Sequence, residues 1–169
     1  MRKMQFARDE DWLDLTEISP GFFVSRKPRN GQEYDLIRSK GIKTVVSLLG
    51  PFGAAEEKRA LSRRGIEFKR TQLKAHNFEE FEGVLEMLKP PCLLHCVGGA
   101  QSAVFAVGYL MKKGASLERA KKIVEEKFGL SDLFDSEEKI LREIMRRREL
   151  QRKKNQGRGK RIAQRRRLK

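Results

Sequence analysis

The sequence has no hydrophobic stretch long enough to cross a membrane and little material for covalent cross-links. Its best candidate segment, AVFAVGYL, is far shorter than the roughly 20 residues that a membrane-spanning helix needs. The basic amino-terminal segment has no apolar stretch behind it, which argues against a secretory signal. Only two cysteines are present, Cys92 and Cys96. On one strand they would lie about 13 Å apart, too far for a disulfide bond, so we expect a cytoplasmic protein.

Acidic residues are scarce in the last sixth of the chain. From residue 142 to residue 169 there are 14 lysines and arginines but only two glutamates, so this part holds +12 of the net charge of +15. Residues 151–169 contain ten basic residues and no acidic residue. Such a segment cannot bury enough apolar surface to offset the conformational entropy that it would lose on becoming ordered. We therefore expect it to be disordered unless bound. It has no apolar face for a membrane surface.

The clustering of these cations predicts binding to RNA or to a ribonucleoprotein such as the ribosome. Runs of arginine and lysine suit contacts with phosphates, and the lack of aromatic residues argues against stacking on bases. The simpler alternative is a solvated segment that only aids solubility. The predicted nucleic-acid-binding residues are Arg146, Arg147, Arg148, Arg152, Lys153, Lys154, Arg158, Lys160, Arg161, Arg165, Arg166, Arg167 and Lys169.

The rest of the chain alternates strand and helix patterns. Strands are predicted at 21–26, 42–50, 66–73 and 92–96. The second of these segments is β-branched and bounded by glycine, the third alternates, and the fourth is short and apolar. Capped, amphipathic segments predict helices at 30–41, 54–65, 77–91, 102–113, 116–129 and from about 136 to 150. This alternation favours an α/β domain, residues 18–150, with a parallel central sheet of about four strands flanked by helices. An amino-terminal segment, 1–17, precedes the domain, and the basic tail, 151–169, follows it.

The stretch HCVGGAQSA lies where a parallel sheet places its ligands, at the carboxyl end of a strand. The amides of a glycine-rich turn that enters a helix form a site for anions and favour a thiolate. The predicted catalytic residues are His95 and Cys96, although Cys96 is also consistent with a small, half-buried residue without catalytic function. The predicted phosphate loop consists of Val97, Gly98, Gly99, Ala100, Gln101 and Ser102.

These residues resemble the cysteine-based tyrosine and dual-specificity phosphatases, especially the compact prokaryotic ones. The resemblance rests on HCVGG, on GYLMKKGASLERAKKIVEE and on ISPGFFVSRKPRNGQEYDLIRSKGIKTVVSLL, and it spans roughly residues 18–148. It implies a parallel sheet flanked by helices and a signature of the form His-Cys-x-x-Gly-x-x-Arg-Ser/Thr. In that family the cysteine forms a phosphocysteine, the arginine clamps the phosphate, and an upstream aspartate protonates the leaving group.

The arginine of this signature is missing. An ungapped alignment puts Ser102 at its position. A loop shortened by one residue puts Gln101 there instead, which keeps the following helix in register through Tyr109 and Leu110. Glutamine can donate hydrogen bonds, but it carries neither the charge nor the fork of a guanidinium.

The aspartate is missing as well, since no aspartate lies between Ile66 and Cys96. Gln72 stands where the resemblance places it. His76, Glu79 and Glu80 are the nearby substitutes, and the two glutamates are more simply explained as first-turn residues of a helix.

Two functions therefore remain open. The first is a catalytically degenerate phosphatase-fold domain that serves as a binding or structural component, anchored to RNA by its tail. The second is a divergent cysteine-dependent phosphatase that acts through Cys96 on a phosphorylated protein or small substrate. We expect no metal ion and no cofactor in either case.

Overall fold

A five-stranded sheet separates two layers of helices. The computed structural model describes residues 13–51, 53–71, 78–128, 141–143, 146–147 and 150. The strands are β1 (Thr16–Ser19), β2 (Phe22–Arg26), β3 (Thr44–Ser47), β4 (Glu67–Arg70) and β5 (Cys92–Cys96). The helices are α1 (Gly31–Ser39), α2 (Ala54–Ser62), α3 (Phe78–Met87), α4 (Ala100–Lys112) and α5 (Leu117–Phe128). The predicted α/β fold with a central sheet flanked by helices is confirmed, whereas residues 151–169 lie outside the described residues.

The strand order is β1-β2-β5-β3-β4, and the four predicted strands pair in parallel. Strand β1 is an addition to the prediction and pairs antiparallel with β2. The Pro20-Gly21 turn joins the two strands, with Gly21 at a φ of 75° that favours glycine. Because β1 has four residues and buries only Ile18, its sequence pattern is too short to indicate a strand.

Strand β5 lies between β2 and β3, and all five of its residues are buried. Side chains alternate across a sheet, so neighbouring residues of β5 enter different layers. Cys92, Leu94 and Cys96 join the core formed with α3, α4 and α5. Leu93 joins the core formed with α1 and α2. The alternation places His95 on the same face as Leu93.

Helix α4 begins at Ala100, two residues before the predicted start at Ser102. Gly99 precedes it in a left-handed conformation with a φ of 91°, and this conformation turns the chain directly from the loop into the helix. Three residues predicted to lie in the phosphate loop, Ala100, Gln101 and Ser102, therefore belong to the first turn of α4.

Leu141 and Arg147 contact the domain. Leu141 is fully buried in the core formed with α3, α4 and α5. Arg147 places its Nη1 atom 2.8 Å from Oε1 of Glu79 in α3. The predicted docking of a last helix is thus observed for the residues that the structure describes there. Among the described helices, none is both long and apolar enough to cross a membrane.

Candidate functional site

The cysteine loop begins at the carboxyl end of the central strand, as predicted. Cys96 pairs in register with Arg26 of β2 and is 3% exposed. The backbone N–H of Gly99 donates a hydrogen bond to Sγ of Cys96 over 3.1 Å. This amide is the one backbone donor that the described loop directs at the sulfur of Cys96.

The crest of the loop is apolar and faces solvent. Val97 is 75% exposed, and Gly98 is exposed beside it. The carbonyl of Val97 accepts a hydrogen bond of 3.4 Å from the amide of Lys27, which links the loop to the segment after β2. Neither Val97 nor Gly98 offers a side-chain cation to a ligand above Cys96.

The two residues predicted as arginine equivalents occupy different environments. Gln101 is exposed on the first turn of α4. Ser102 is fully buried, and its hydroxyl donates a hydrogen bond of 3.3 Å to the carbonyl of Ser25 in β2. Ser102 therefore anchors α4 to the sheet, and neither residue brings positive charge to the loop.

Arg26 is the register neighbour of Cys96, but its guanidinium is already engaged. Its Nη2 and Nη1 atoms donate to the two carboxylate oxygens of Glu33 over 2.5 and 3.3 Å, and Nη1 also donates to the carbonyl of Lys27 over 2.9 Å. Glu33 is 2% exposed and accepts a further hydrogen bond from the amide of Arg29. Because release of Arg26 would leave a buried carboxylate without its charge partner, Arg26 is held away from the cysteine loop.

His95 does not face the opening of the loop, although it was predicted as part of the site. It is fully buried, and its Nε2 atom lies 2.6 Å from Oε1 of Glu57, which is 2% exposed. The two atoms form a close buried contact that does not have the geometry of a directional hydrogen bond. The other ring nitrogen, Nδ1, has no hydrogen-bond partner within the described part of the chain.

Glu57 is the residue that sequence reasoning missed. It lies on the buried face of α2, three residues after Ala54 and four before Leu61. A carboxylate in the apolar stripe of a helix is unusual unless it has a partner. The position of Glu57 in this apolar stripe was the signal available in the sequence. Its partner is His95, the histidine of HCVGG.

The residues that could replace the missing aspartate lie only partly within the described chain. Gln72 and His76 lie outside the described residues. Glu79 and Glu80 lie in the first turn of α3, as their simpler explanation predicts. The hydrogen bond from Arg147 holds the pKa of Glu79 below its ordinary value, so this carboxyl group is a poor proton donor near neutral pH.

Two of the predicted nucleic-acid-binding residues are described. Arg147 contacts both Glu79 and Glu143, whereas Arg146 is 76% exposed with Glu143 at 3.7 Å. Arg148 and the predicted residues from Arg152 to Lys169 lie outside the described residues. Arg147 therefore helps to hold the segment after residue 140 on α3.

Neither Cys92 nor a group of metal-ligating side chains adds a reactive site to the described part of the chain. Burial raises the pKa of the Cys92 thiol to about 12, which makes this cysteine an inert core residue. Among the described residues, no group of three or more histidine, cysteine, aspartate or glutamate side chains could hold a metal ion.

Family models and curated proteins give no match to the sequence, but solved structures do. Tk-PTP in its active form is similar with a TM-score of 0.69 and 23% identity, over 79% of this chain and 97% of that chain. The core catalytic domain of the PP-IP phosphatase SIW14 from S. cerevisiae has a TM-score of 0.60 and 15% identity, over 70% and 79%. TpbA from P. aeruginosa, in complex with pTyr, has a TM-score of 0.56 and 22% identity, over 72% and 82%.

These structures agree with the architecture of this chain. The structure of this chain itself shows the order of strands, the two helical layers and the turn from Cys96 into α4. The chain therefore has the fold of the cysteine-based protein tyrosine phosphatases.

Proposed function

We propose that this protein is a cytoplasmic binding component built on a phosphatase fold, that its cysteine loop does not hydrolyse phosphate esters efficiently, and that residues 151–169 anchor it to RNA. A ribonucleoprotein such as the ribosome would be a suitable particle. The observation that carries the first part is that, among the described residues, neither the loop nor its register neighbour Arg26 offers a free cation. Residues 97–102 contain no basic side chain, and Arg26 is bound to Glu33.

The size of the loss supports a binding role over catalysis. A preorganised donor aimed at the transition state is worth about 100-fold to 1,000-fold in rate, and a bidentate guanidinium is at least as strong as a neutral donor. A general acid contributes about 100-fold or more, and no aspartate lies between residues 66 and 96 to provide one. A loop that lacks both groups keeps a shape that suits anions but loses most of its power to cleave them.

The charge of residues 151–169 supports the RNA-binding part of the proposal. Ten cations without a single carboxylate form a segment that can follow a phosphate backbone. Binding of this kind tolerates many sequences and depends strongly on salt. For six to ten phosphate contacts, affinity falls about 1,000-fold or more between about 50 and 200 mM salt.

The RNA-binding test uses the full-length chain and a full-length variant in which all ten basic residues of 151–169 are replaced by glutamine. Ribosomal RNA binding is measured by fluorescence anisotropy at several salt concentrations. We expect the natural chain to bind at low salt with a steep salt dependence and the variant to lose both properties. Equal binding by the two proteins would refute the anchoring role. A matched control replaces Lys58 and Arg59 of α2, which lie outside the tail, and should retain binding.

The second candidate is a divergent phosphatase that uses Cys96, and one contact favours it. The amide of Gly99 is directed at Sγ of Cys96 over 3.1 Å, as a reactive thiolate would require. Hydrolysis of para-nitrophenyl phosphate separates the candidates, with Cys96→Ser as the test and Cys92→Ser as the buried-cysteine control. We expect no turnover above the Cys96→Ser background. Turnover that Cys96→Ser abolishes and Cys92→Ser preserves would establish the phosphatase and reject the degenerate loop.

A further inference from the structure

A polar groove lies on the α1–α2 side of the sheet, next to the cysteine loop but lined by other residues. Its volume is about 480 Å³, within the size range of small-molecule sites. The segment after β2 forms one wall and α2 forms the other. None of residues 97–102 lines it. It is therefore a separate cavity from the loop that contains Cys96.

Four cations and two carboxylates line this groove. Lys27 and Arg29 come from the segment after β2, and Arg63 and Arg64 follow the end of α2. The carboxylates are Glu56 and Glu57. Since Glu57 is buried against His95, only Glu56 offers an exposed carboxylate to the groove.

Arg64 is fixed in place by the protein itself. Its Nε atom donates to Asp35 over 2.7 Å, and its Nη1 and Nη2 atoms donate to the carbonyls of Ala60 and Gly31 over 2.9 and 3.1 Å. Its guanidinium also lies 5.6 Å from the centre of the Tyr34 ring. One wall of the groove is therefore rigid, with a planar cation already oriented.

The other three cations lack carboxylate partners. Within the described part of the chain, no ion pair joins Lys27, Arg29 or Arg63 to an acidic side chain. Lys27 is half-buried, and a Cβ atom added to Gly53 would lie only 2.7 Å from its Nζ. The ammonium is thus held against the first residue before α2, at the positive end of that helix. A bound anion would relieve this unfavourable placement.

We infer that this groove binds a phosphate-bearing small anion, and that a diphosphate group fits it better than a single phosphate. Arginines favour phosphate because their planar fork matches its oxygens. Cations stand on both walls, so two linked phosphate groups can contact more of them than one group can. The Tyr34 ring adds an apolar surface, and because burial raises the pKa of its hydroxyl to about 12, the ring stays neutral beside the ligand. This inference does not depend on the proposed function.

The test is an NMR titration of the full-length, ¹⁵N-labelled chain with inorganic pyrophosphate at constant ionic strength, followed by inorganic phosphate. The amides of Gly31 and Gly53 report on the groove, and those of Gly98 and Gly99 report on the cysteine loop. We expect saturable shifts at Gly31 and Gly53, with a lower Kd for pyrophosphate than for phosphate. Residue-specific signals separate this site from anions attracted to the tail.

Variants decide which cations are responsible. Lys27→Gln combined with Arg63→Gln should weaken pyrophosphate binding at the groove about tenfold or more, since two charged contacts are lost. Lys58→Gln combined with Arg59→Gln removes the same charge from α2 outside the groove and should leave the Kd within about twofold. Circular dichroism and thermal unfolding confirm that both variants fold.

Several outcomes would overturn the inference. One is the absence of saturable shifts at Gly31 and Gly53, and another is saturation confined to Gly98 and Gly99. A third is equal weakening by the two double variants, which would indicate a general charge effect. Binding of sulfate as tight as that of pyrophosphate would also reject a site for linked phosphate groups.

Discussion

The buried pair of His95 and Glu57 predicts a measurable coupling between the central strand and helix α2. Both side chains are almost entirely removed from water, and their closest atoms are 2.6 Å apart. Removal of one partner would leave the other buried polar group without this contact, which costs about 1–3 kcal/mol.

A double-mutant cycle isolates this interaction. Glu57→Gln keeps the shape of the side chain and removes its charge, and His95→Gln removes the imidazole. We expect each single change to lower the free energy of unfolding by about 1–3 kcal/mol, and the double variant to lose at least about 1 kcal/mol less than the sum. Urea unfolding at pH 7, followed by circular dichroism, provides the free energies.

The neighbouring glutamate is the matched control. Glu56 is exposed in the first turn of α2 and makes no contact with His95, so Glu56→Gln should change stability by less than about 0.5 kcal/mol. If the effects of Glu57→Gln and His95→Gln add within about 0.5 kcal/mol, the pair does not act as a pair. The reasoning on the buried contact would then be wrong.

Two further predictions concern the cysteine loop and the segment after residue 140. Gly99→Ala should destabilise the protein by about 1–2 kcal/mol, because the φ of 91° at this position is unfavourable for a residue with a Cβ. Gly98→Ala is the control and should have a small effect in the same thermal unfolding assay, since a Cβ added there would lie more than 4 Å from other atoms. Glu79 has a lowered pKa, so its contact with Arg147 contributes stability above the ordinary carboxyl pKa of 4.5 and loses it as the pH falls through the lowered value. NMR titration should show the Glu79 pKa returning toward 4.5 in Arg147→Gln, while Glu86, whose pKa Lys112 lowers, should not change; an unchanged Glu79 would contradict the contact.

Much of the architecture follows from local patterns in the sequence. Strands β2, β3 and β5 are compact segments of β-branched or apolar residues, β4 lies in a segment that alternates polar and apolar residues, and side chains cap α1 and α5. The cap at Ser116 is an example, since its hydroxyl accepts a hydrogen bond of 3.2 Å from the amide of Arg119. The position of Cys96 at a strand end follows from the same patterns.

The rest depends on contacts between residues far apart in the chain. Strand β1 is stabilised by its pairing with β2, which a four-residue pattern cannot indicate. The partner of His95 lies 38 positions earlier, and only the placement of α2 on the folded sheet brings Glu57 to it. The pairing of Arg26 with Glu33 likewise decides whether the loop has a free cation, and composition alone does not reveal this pairing.

The two edges of the sheet have a consequence for self-association. An exposed edge strand can pair with another chain and start aggregation, and proteins limit this with short or irregular strands and with charged residues. Strand β1 has four residues and an irregular register between Glu17 and Ser19. The opposite edge, β4, reads EFKR and presents charged side chains in three of its four positions. Both edges are therefore poor templates for a further strand, and copies of this chain should resist aggregation by sheet extension.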